Sequence, residues 1–205
     1  MVITQILSFL SASLLLALMP GPDNVFVLTE SITKGARNGI QISLGLSLGV
    51  LIHTTAVATG ISLIISQSEV AFTTIKFAGA GYLLYLAYLA TQEKPIKMEE
   101  NNKTASSTSM QRIRKGFLMN ILNPKVSLFF IGFLPQFVSP NGYSPMTQMM
   151  ILGILFMLVS FTTFSGIALL SGKVTHFLER PRFWNITKWT KCIIFTSLAL
   201  LLILG

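Results

Sequence analysis

The sequence predicts an all-α polytopic membrane protein, six transmembrane helices arranged as two inverted three-helix halves. Three observations carry this. Of 205 residues, 52% are hydrophobic and 11% charged, whereas a soluble domain carries about 25% charged residues. The apolar residues fall in long continuous runs, which fits helices rather than the alternating strands of a membrane barrel. The basic residues segregate between alternate loops, so the number of spans is expected to be even. A membrane helix needs about 20 residues, so six of them leave room for short loops only and none for a separate water-soluble catalytic domain.

The predicted spans are 2–28, 39–65, 70–91, 116–138, 146–171 and 187–205. The first lacks a basic start and continues through Val25-Phe26-Val27-Leu28 after Pro20, so it reads as a span and not as a cleaved leader. The sixth has an uninterrupted apolar core only from Cys192 to Leu204, which places Lys188 and Lys191 at its edge with snorkelling side chains. Residues 1–91 form the first half, 92–115 a flexible polar linker and 116–205 the second half.

Charge sets the orientation. The loop after span one holds Lys34 and Arg37, and the loop after span three holds Lys94, Lys97, Lys103, Arg112, Arg114 and Lys115. The stretch after span five adds Lys173, Arg180, Arg182, Lys188 and Lys191, making thirteen of the fifteen basic residues. The opposite face carries only Glu69. By the positive-inside rule the basic face is cytoplasmic and both termini lie on the outer, periplasmic side of a bacterial cytoplasmic (inner) membrane. The net charge of +8 is thus a topology signal with anionic lipid headgroups as its partner, and no nucleic-acid role is expected. The lone Cys192 supports no disulfide or thiolate cluster.

Two interruptions of the apolar pattern point to function. Pro20-Gly21-Pro22-Asp23-Asn24 breaks span one: the prolines remove backbone donors, Gly21 relaxes the dihedrals, and Asp23 is the only acid inside a span. Asn120-Ile-Leu-Asn123-Pro124-Lys125 breaks span four and places a cation inside the bilayer, and Pro135-Gln136-Phe137 breaks it again near the outer surface. Ionisable groups in hydrocarbon face a cavity or a partner. Broken helices at corresponding places of inverted halves mark a transporter's binding site. Asp23 and Lys125 are expected at similar depth, although Asp23 lies about 20 residues into its span and Lys125 about 10 into its own. His53, after Gly45-Leu-Ser-Leu-Gly49, is a further candidate for the pathway, while the GxxxG spacing suggests close helix packing and a contact between two copies in a homodimer. Lys76 can snorkel outward, and the Phe- and Met-rich runs read as lipid-facing or core residues.

Pro20-Gly21-Pro22-Asp23-Asn24 followed by Gly35-Ala36-Arg37-Asn38-Gly39 resembles the amino-terminal signature of the LysE/RhtB family of amino-acid exporters, the threonine/homoserine/lysine efflux type. Lys76 to Leu83 resembles that family's third-span motif. Gly116 to Asn120, Asn123-Pro124-Lys125, Phe129-Phe130 and Pro135-Gln136-Phe137 resemble its fourth-span motif. The resemblance implies export of amino acids or related small metabolites driven by the proton gradient, with Pro20–Asn24 and Asn123–Lys125 lining the pathway. It does not fix which amino acid.

The residues then assemble into a mechanism. A zwitterion enters from the cytoplasm, its ammonium meets Asp23, its carboxylate meets Lys125, and main-chain groups at the two helix restarts assist. Asn24, Asn120 and Asn123 complete the substrate and coupling set, and Pro20, Gly21, Pro22 and Pro124 shape the pathway. Protonation of Asp23 from outside releases the substrate, giving antiport. No resident cofactor or metal is expected. An enzyme is not expected either, because no HExxH, GxSxG or paired carboxylates occur within the spans. The alternatives are a divalent-metal or other cation exporter of the same superfamily, for which only Asp23 and His53 would serve as ligands within the spans, and a channel.

Overall fold

In a computed structural model the described residues are 3–19, 21–67, 69–92, 107–139, 142–173 and 181–204. Among them there is no strand, and the chain is all-α. Helix α1 (Ile3–Leu18) ends at the first break and α2 (Pro22–Lys34) follows it. A single residue, Gly35, joins α2 to α3 (Ala36–Gln67). Its φ of 88° lies in the region that favours glycine. Gly39 is needed one turn later, because a Cβ there would lie 1.8 Å from Ser31 Oγ. The Asn38 side chain donates to the Lys34 carbonyl at 2.6 Å and so closes the end of α2. This explains the Gly35-Ala36-Arg37-Asn38-Gly39 stretch as a tight corner.

Helix α4 (Glu69–Gln92) follows. After it come α5 (Ser109–Ile121), a break, and then α6 (Pro124–Phe133) with a 3-10 turn at Leu134–Phe137. Then come α7 (Pro145–Leu169) and α8 (Pro181–Leu204). Helix α5 begins well before residue 116 and takes up part of the stretch that reads as linker. Thr108 and Gln111 form a reciprocal capping box there, a signal hidden in a Ser/Thr-rich stretch. Counted from Ser109, Lys125 lies 16 residues in, close to the 20 that separate Ile3 from Asp23 (125 − 109 and 23 − 3). The two ionisable residues thus hold more nearly corresponding positions along their broken helices than the sequence suggests.

Residues 36–60 of α3 and the whole of α7 are long and apolar enough to cross a membrane. The pairs α1–α2 and α5–α6 meet the same test when each pair is taken as one bent span, with bends of 57° and 56°. Helices α4 and α8 are each 24 residues long.

Helices from early in the chain pack on helices from late in it. Helix α1 packs on α7 and α5 on α3, the two middle helices α3 and α7 pack on each other, and α4 packs on α8. The α3–α5 crossing is close because glycines face backbone. A Cβ at Gly45 would lie 2.0 Å from the Ile113 carbonyl oxygen, one at Gly116 would lie 2.3 Å from that of Ile42, and Gly49 faces Asn120. The Gly45/Gly49 pair is therefore occupied inside the chain. This corrects its assignment as a contact between two copies: small-residue spacing shows that two helices approach closely, not which two. Lys191 also departs from expectation, being 3% exposed rather than snorkelling. The Lys76 side chain lies outside the described residues.

Candidate functional site: two broken helices joined by a polar bridge

Helices α2 and α6 restart in the same way. Each has proline as its first residue, where the missing N–H is no loss. Each carries an ionisable residue in second place, Asp23 in α2 and Lys125 in α6. Position gives them opposite electrostatics. A helix N-terminus favours an anion, so α2 stabilises Asp23, whereas Lys125 opposes the dipole of α6. Lys125 is carried back across the break: a Cβ on Gly21 would sit 3.2 Å from its Nζ. Gly21 leaves room for the ammonium close to the first break, and the ammonium interacts coulombically with the Asp23 carboxylate.

The bridge between the breaks is a hydrogen bond. Asn123 Nδ2 donates to Asp23 Oδ2 at 2.9 Å, over 100 positions of sequence. Asn123 also caps α6, because its Oδ1 accepts from the Lys125 backbone N–H at 3.1 Å. Asp23 is 5% exposed, and its other oxygen, Oδ1, is buried without a hydrogen-bond partner. An unpaired buried carboxylate oxygen is costly, and such a group calls for an explanation in the protein's function.

The remaining candidates divide. Asn24 donates through Nδ2 to the Ala17 carbonyl at 2.8 Å, so it satisfies the frayed end of α1. Asn120 is buried, and its carbonyl accepts from the Asn123 N–H at 2.9 Å. His53 Nε2 lies 3.2 Å from the same carbonyl. A carbonyl only accepts, so the ring proton sits on Nε2 and closes the end of α5. Asn120 Oδ1 is a second buried oxygen without a partner, lying against Gly49. The structure thus brings together Asp23, Asn123, Lys125 and Gly21, and links Asn120 and His53 to them through the second break. Pro20 lies outside the described residues, while Pro22 and Pro124 start their helices as expected. The two restarts are not equivalent as amide donors: Asn123 already caps α6, whereas Gly21 offers α2 no side-chain cap. At α6 the amide of Lys125, expected to be free for a solute, is therefore already taken by Asn123.

Sequence reasoning missed the aromatic cluster on the other side of this break. Phe130 lies 6.1 Å from the His53 ring. From there, contacts run through Phe129, Phe133 and Phe156 to Phe137 and Phe9, with Phe9 and Phe137 edge-to-face at 5.2 Å. Phe9, Phe129 and Phe130 are almost wholly buried. The available signal was the spacing of Phe129, Phe130, Phe133 and Phe137 on consecutive turns after Pro124.

Comparison with known proteins identifies the family. The chain is 30% identical over 176 residues to a homoserine/homoserine lactone efflux protein of Salmonella typhimurium, covering 85% of this chain and 84% of that one. It is 24% identical over 173 residues to a leucine efflux protein of Klebsiella pneumoniae, covering 84% and 82%. It is 27% identical over 176 residues to an uncharacterized membrane protein of Vibrio cholerae, covering 85% and 84%. No solved structure matches. The family description LysE type translocator matches residues 14–205. Translocators move a solute without transforming it, so the chain is a membrane transporter and not an enzyme. A match over nearly the whole length, containing both broken helices, establishes that the chain belongs to the LysE type translocator family.

Proposed function

We propose that the chain is a six-span secondary exporter that moves amino acids or related small zwitterions out of the cytoplasm in exchange for protons. The observation that carries this reading is the partnerless Asp23 Oδ1, buried at a junction where the second break supplies Asn123 and Lys125. A substrate ammonium donates to Oδ1. The substrate carboxylate turns toward the Lys125 ammonium and the uncapped amides at the start of α2. The efflux proteins among the relatives, one named for homoserine and its lactone and one for leucine, support the solute class.

Antiport follows if Asp23 holds either the substrate ammonium or a proton. With the proton on Asp23, the carboxylate is neutral and the ammonium loses its counter-charge. Outward release and inward return with the proton then alternate. Two bent spans that restart with the same register, and middle helices that exchange partners between halves, support two inverted halves rocking about the site. The thirteen basic residues of alternate loops support a cytoplasmic linker, with both termini on the outer side of the inner membrane and anionic headgroups against the basic face. Among the described residues, no group of three or more His, Cys, Asp and Glu side chains is placed to hold a metal ion, so the metal-export alternative gains no support.

The test is a substrate screen. Proteoliposomes loaded with amino-acid mixtures and given an imposed pH gradient should lose one or a few amino acids in a saturable way, and collapsing the gradient should stop the loss. Efflux that never saturates would indicate a pore.

A further inference from the structure

Pro124 deletes one particular hydrogen bond, and a different helix replaces it. In an unbroken helix the Asn120 carbonyl would accept from the N–H of residue 124, four positions on. Residue 124 is proline and has no N–H. The carbonyl is met instead by the Asn123 N–H at 2.9 Å and by His53 Nε2 of α3 at 3.2 Å. We infer that His53 is a positioning residue of the transport site: it fixes the second break on α3, and through it the Asn123 amide that holds Asp23. This rests on the amino-acid reading above and deepens it.

The grip has two parts, one turn apart on α3. At Gly49 a Cβ would lie 2.8 Å from Asn120 Cβ and Oδ1, so the glycine admits the Asn120 side chain against the helix. At His53 the ring holds the carbonyl of the same residue. His53 is 8% and Asn120 2% exposed, so loss of the ring donor leaves a buried carbonyl short of a partner. The line from ring to acid is short. It runs from the Asn120 carbonyl to the Asn123 N–H, and from Asn123 Nδ2 to Asp23 Oδ2 at 2.9 Å. The two breaks differ here. The first is closed by α2 itself, through Asn24 on the Ala17 carbonyl. The second is closed from α3, a helix that belongs to neither restart, so α3 has a direct hold on the orientation of Asn123.

The experiment measures transport and local order in the same variants. Transport is efflux from proteoliposomes of whichever solute the wild type moves fastest from a mixture of the common amino acids and homoserine. Local order is hydrogen exchange of residues 120–127, read by mass spectrometry. His53→Gln keeps a side-chain N–H donor, His53→Phe keeps a ring against Phe130 without the donor, and His53→Leu keeps neither. His53→Phe should raise the half-saturation concentration about fivefold, with the maximal rate changed by less than about twofold. It should also speed exchange of the 120–127 stretch several-fold. His53→Gln should stay near the wild type in both readouts. Added to Asn123→Ala, His53→Phe should raise half-saturation by less than about twofold further, because the residue it acts through is gone. If the phenylalanine variant does not fold, His53→Leu carries the same predictions.

Three results would overturn the inference while leaving amino-acid export intact. One is His53→Gln as impaired as His53→Phe. Another is a double variant whose effect is the product of the single ones. The third is faster exchange with unchanged half-saturation, which would show a structural tie only. Unchanged hydrogen exchange in His53→Phe overturns the grip whatever the transport result. A wild type that moves no solute of the mixture overturns the amino-acid reading itself.

Discussion

Asn123 Nδ2 lies 2.9 Å from Asp23 Oδ2, so a residue that caps one broken helix also holds the acid at the break of the other. Both jobs end when the amide is removed. Asn123→Ala deletes a hydrogen bond to a charged group, worth about 1.5–3 kcal/mol, and strips α6 of its cap, worth about 1 kcal/mol. We expect the half-saturation concentration of the exported solute to rise about tenfold or more, with a smaller fall in thermal stability. Asn123→Asp keeps the cap but sets two carboxylates side by side, and should impair transport at least as much while unfolding at a higher temperature than the alanine variant. Initial-rate kinetics and thermal unfolding in detergent separate the two effects.

The α3–α5 crossing should be intolerant of added bulk. A methyl group at Gly45 or Gly116 would press on backbone rather than on a flexible side chain, and overpacking of this kind costs about 1–3 kcal/mol. Gly45→Ala and Gly116→Ala should each lower the unfolding midpoint in size-exclusion-based thermal assays. Gly60→Ala, where a Cβ meets nothing within 4 Å, is the control and should leave it unchanged.

Gln148 at the start of α7 is wholly buried and ties down the turn before it. Its Nε2 donates to the Ser139 and Tyr143 carbonyls at 2.9 and 2.7 Å, and its Oε1 accepts from the Ser139 N–H at 2.9 Å. Gln148→Leu keeps much of the volume and removes all three bonds. Each buried group left unsatisfied costs about 1–3 kcal/mol, so a clear drop in unfolding temperature is expected without a change in which solutes are exported. A solute preference altered by Gln148→Leu would show that this end of α7 belongs to the site.

The contact between Phe9 of α1 and Phe137 of the 3-10 turn joins the two halves beyond the breaks. If the halves rock, this contact has to open in each cycle. With Cys192 replaced by Ser, thiols introduced at 9 and 137 and joined by a short cross-linker should stop exchange, and a cleavable linker should restore it on reduction. Undiminished exchange in the cross-linked protein would place the moving contact elsewhere.

How far the sequence could be read depends on the kind of signal. The two breaks were legible because proline and an ionisable residue inside an apolar run are each expensive, and their coincidence twice in one chain is informative. The meeting of Asp23 with Asn123 was not, since periodicity gives no partner for a residue 100 positions away. The bond of Asn24 to the Ala17 carbonyl was hidden for a similar reason: a buried amide can serve a solute or a carbonyl, and the sequence does not say which carbonyl lies beside it. The spacing of Gly45 and Gly49 correctly announced a close crossing and misled about the partner. The aromatic cluster stayed hidden because phenylalanines facing lipid and phenylalanines packed between helices look alike until the neighbouring helices are in place.

In the proposed mechanism substrate binding and proton coupling both converge on Asp23, so the most direct measurement is efflux driven by an imposed pH gradient from proteoliposomes carrying Asp23→Asn. The variant keeps the size of the side chain and can still accept from Asn123, so it should insert and unfold much as the wild type does. The account predicts that gradient-driven export falls to the level of protein-free liposomes. Export by Asp23→Asn at the wild-type rate, with the same dependence on the gradient, would contradict it.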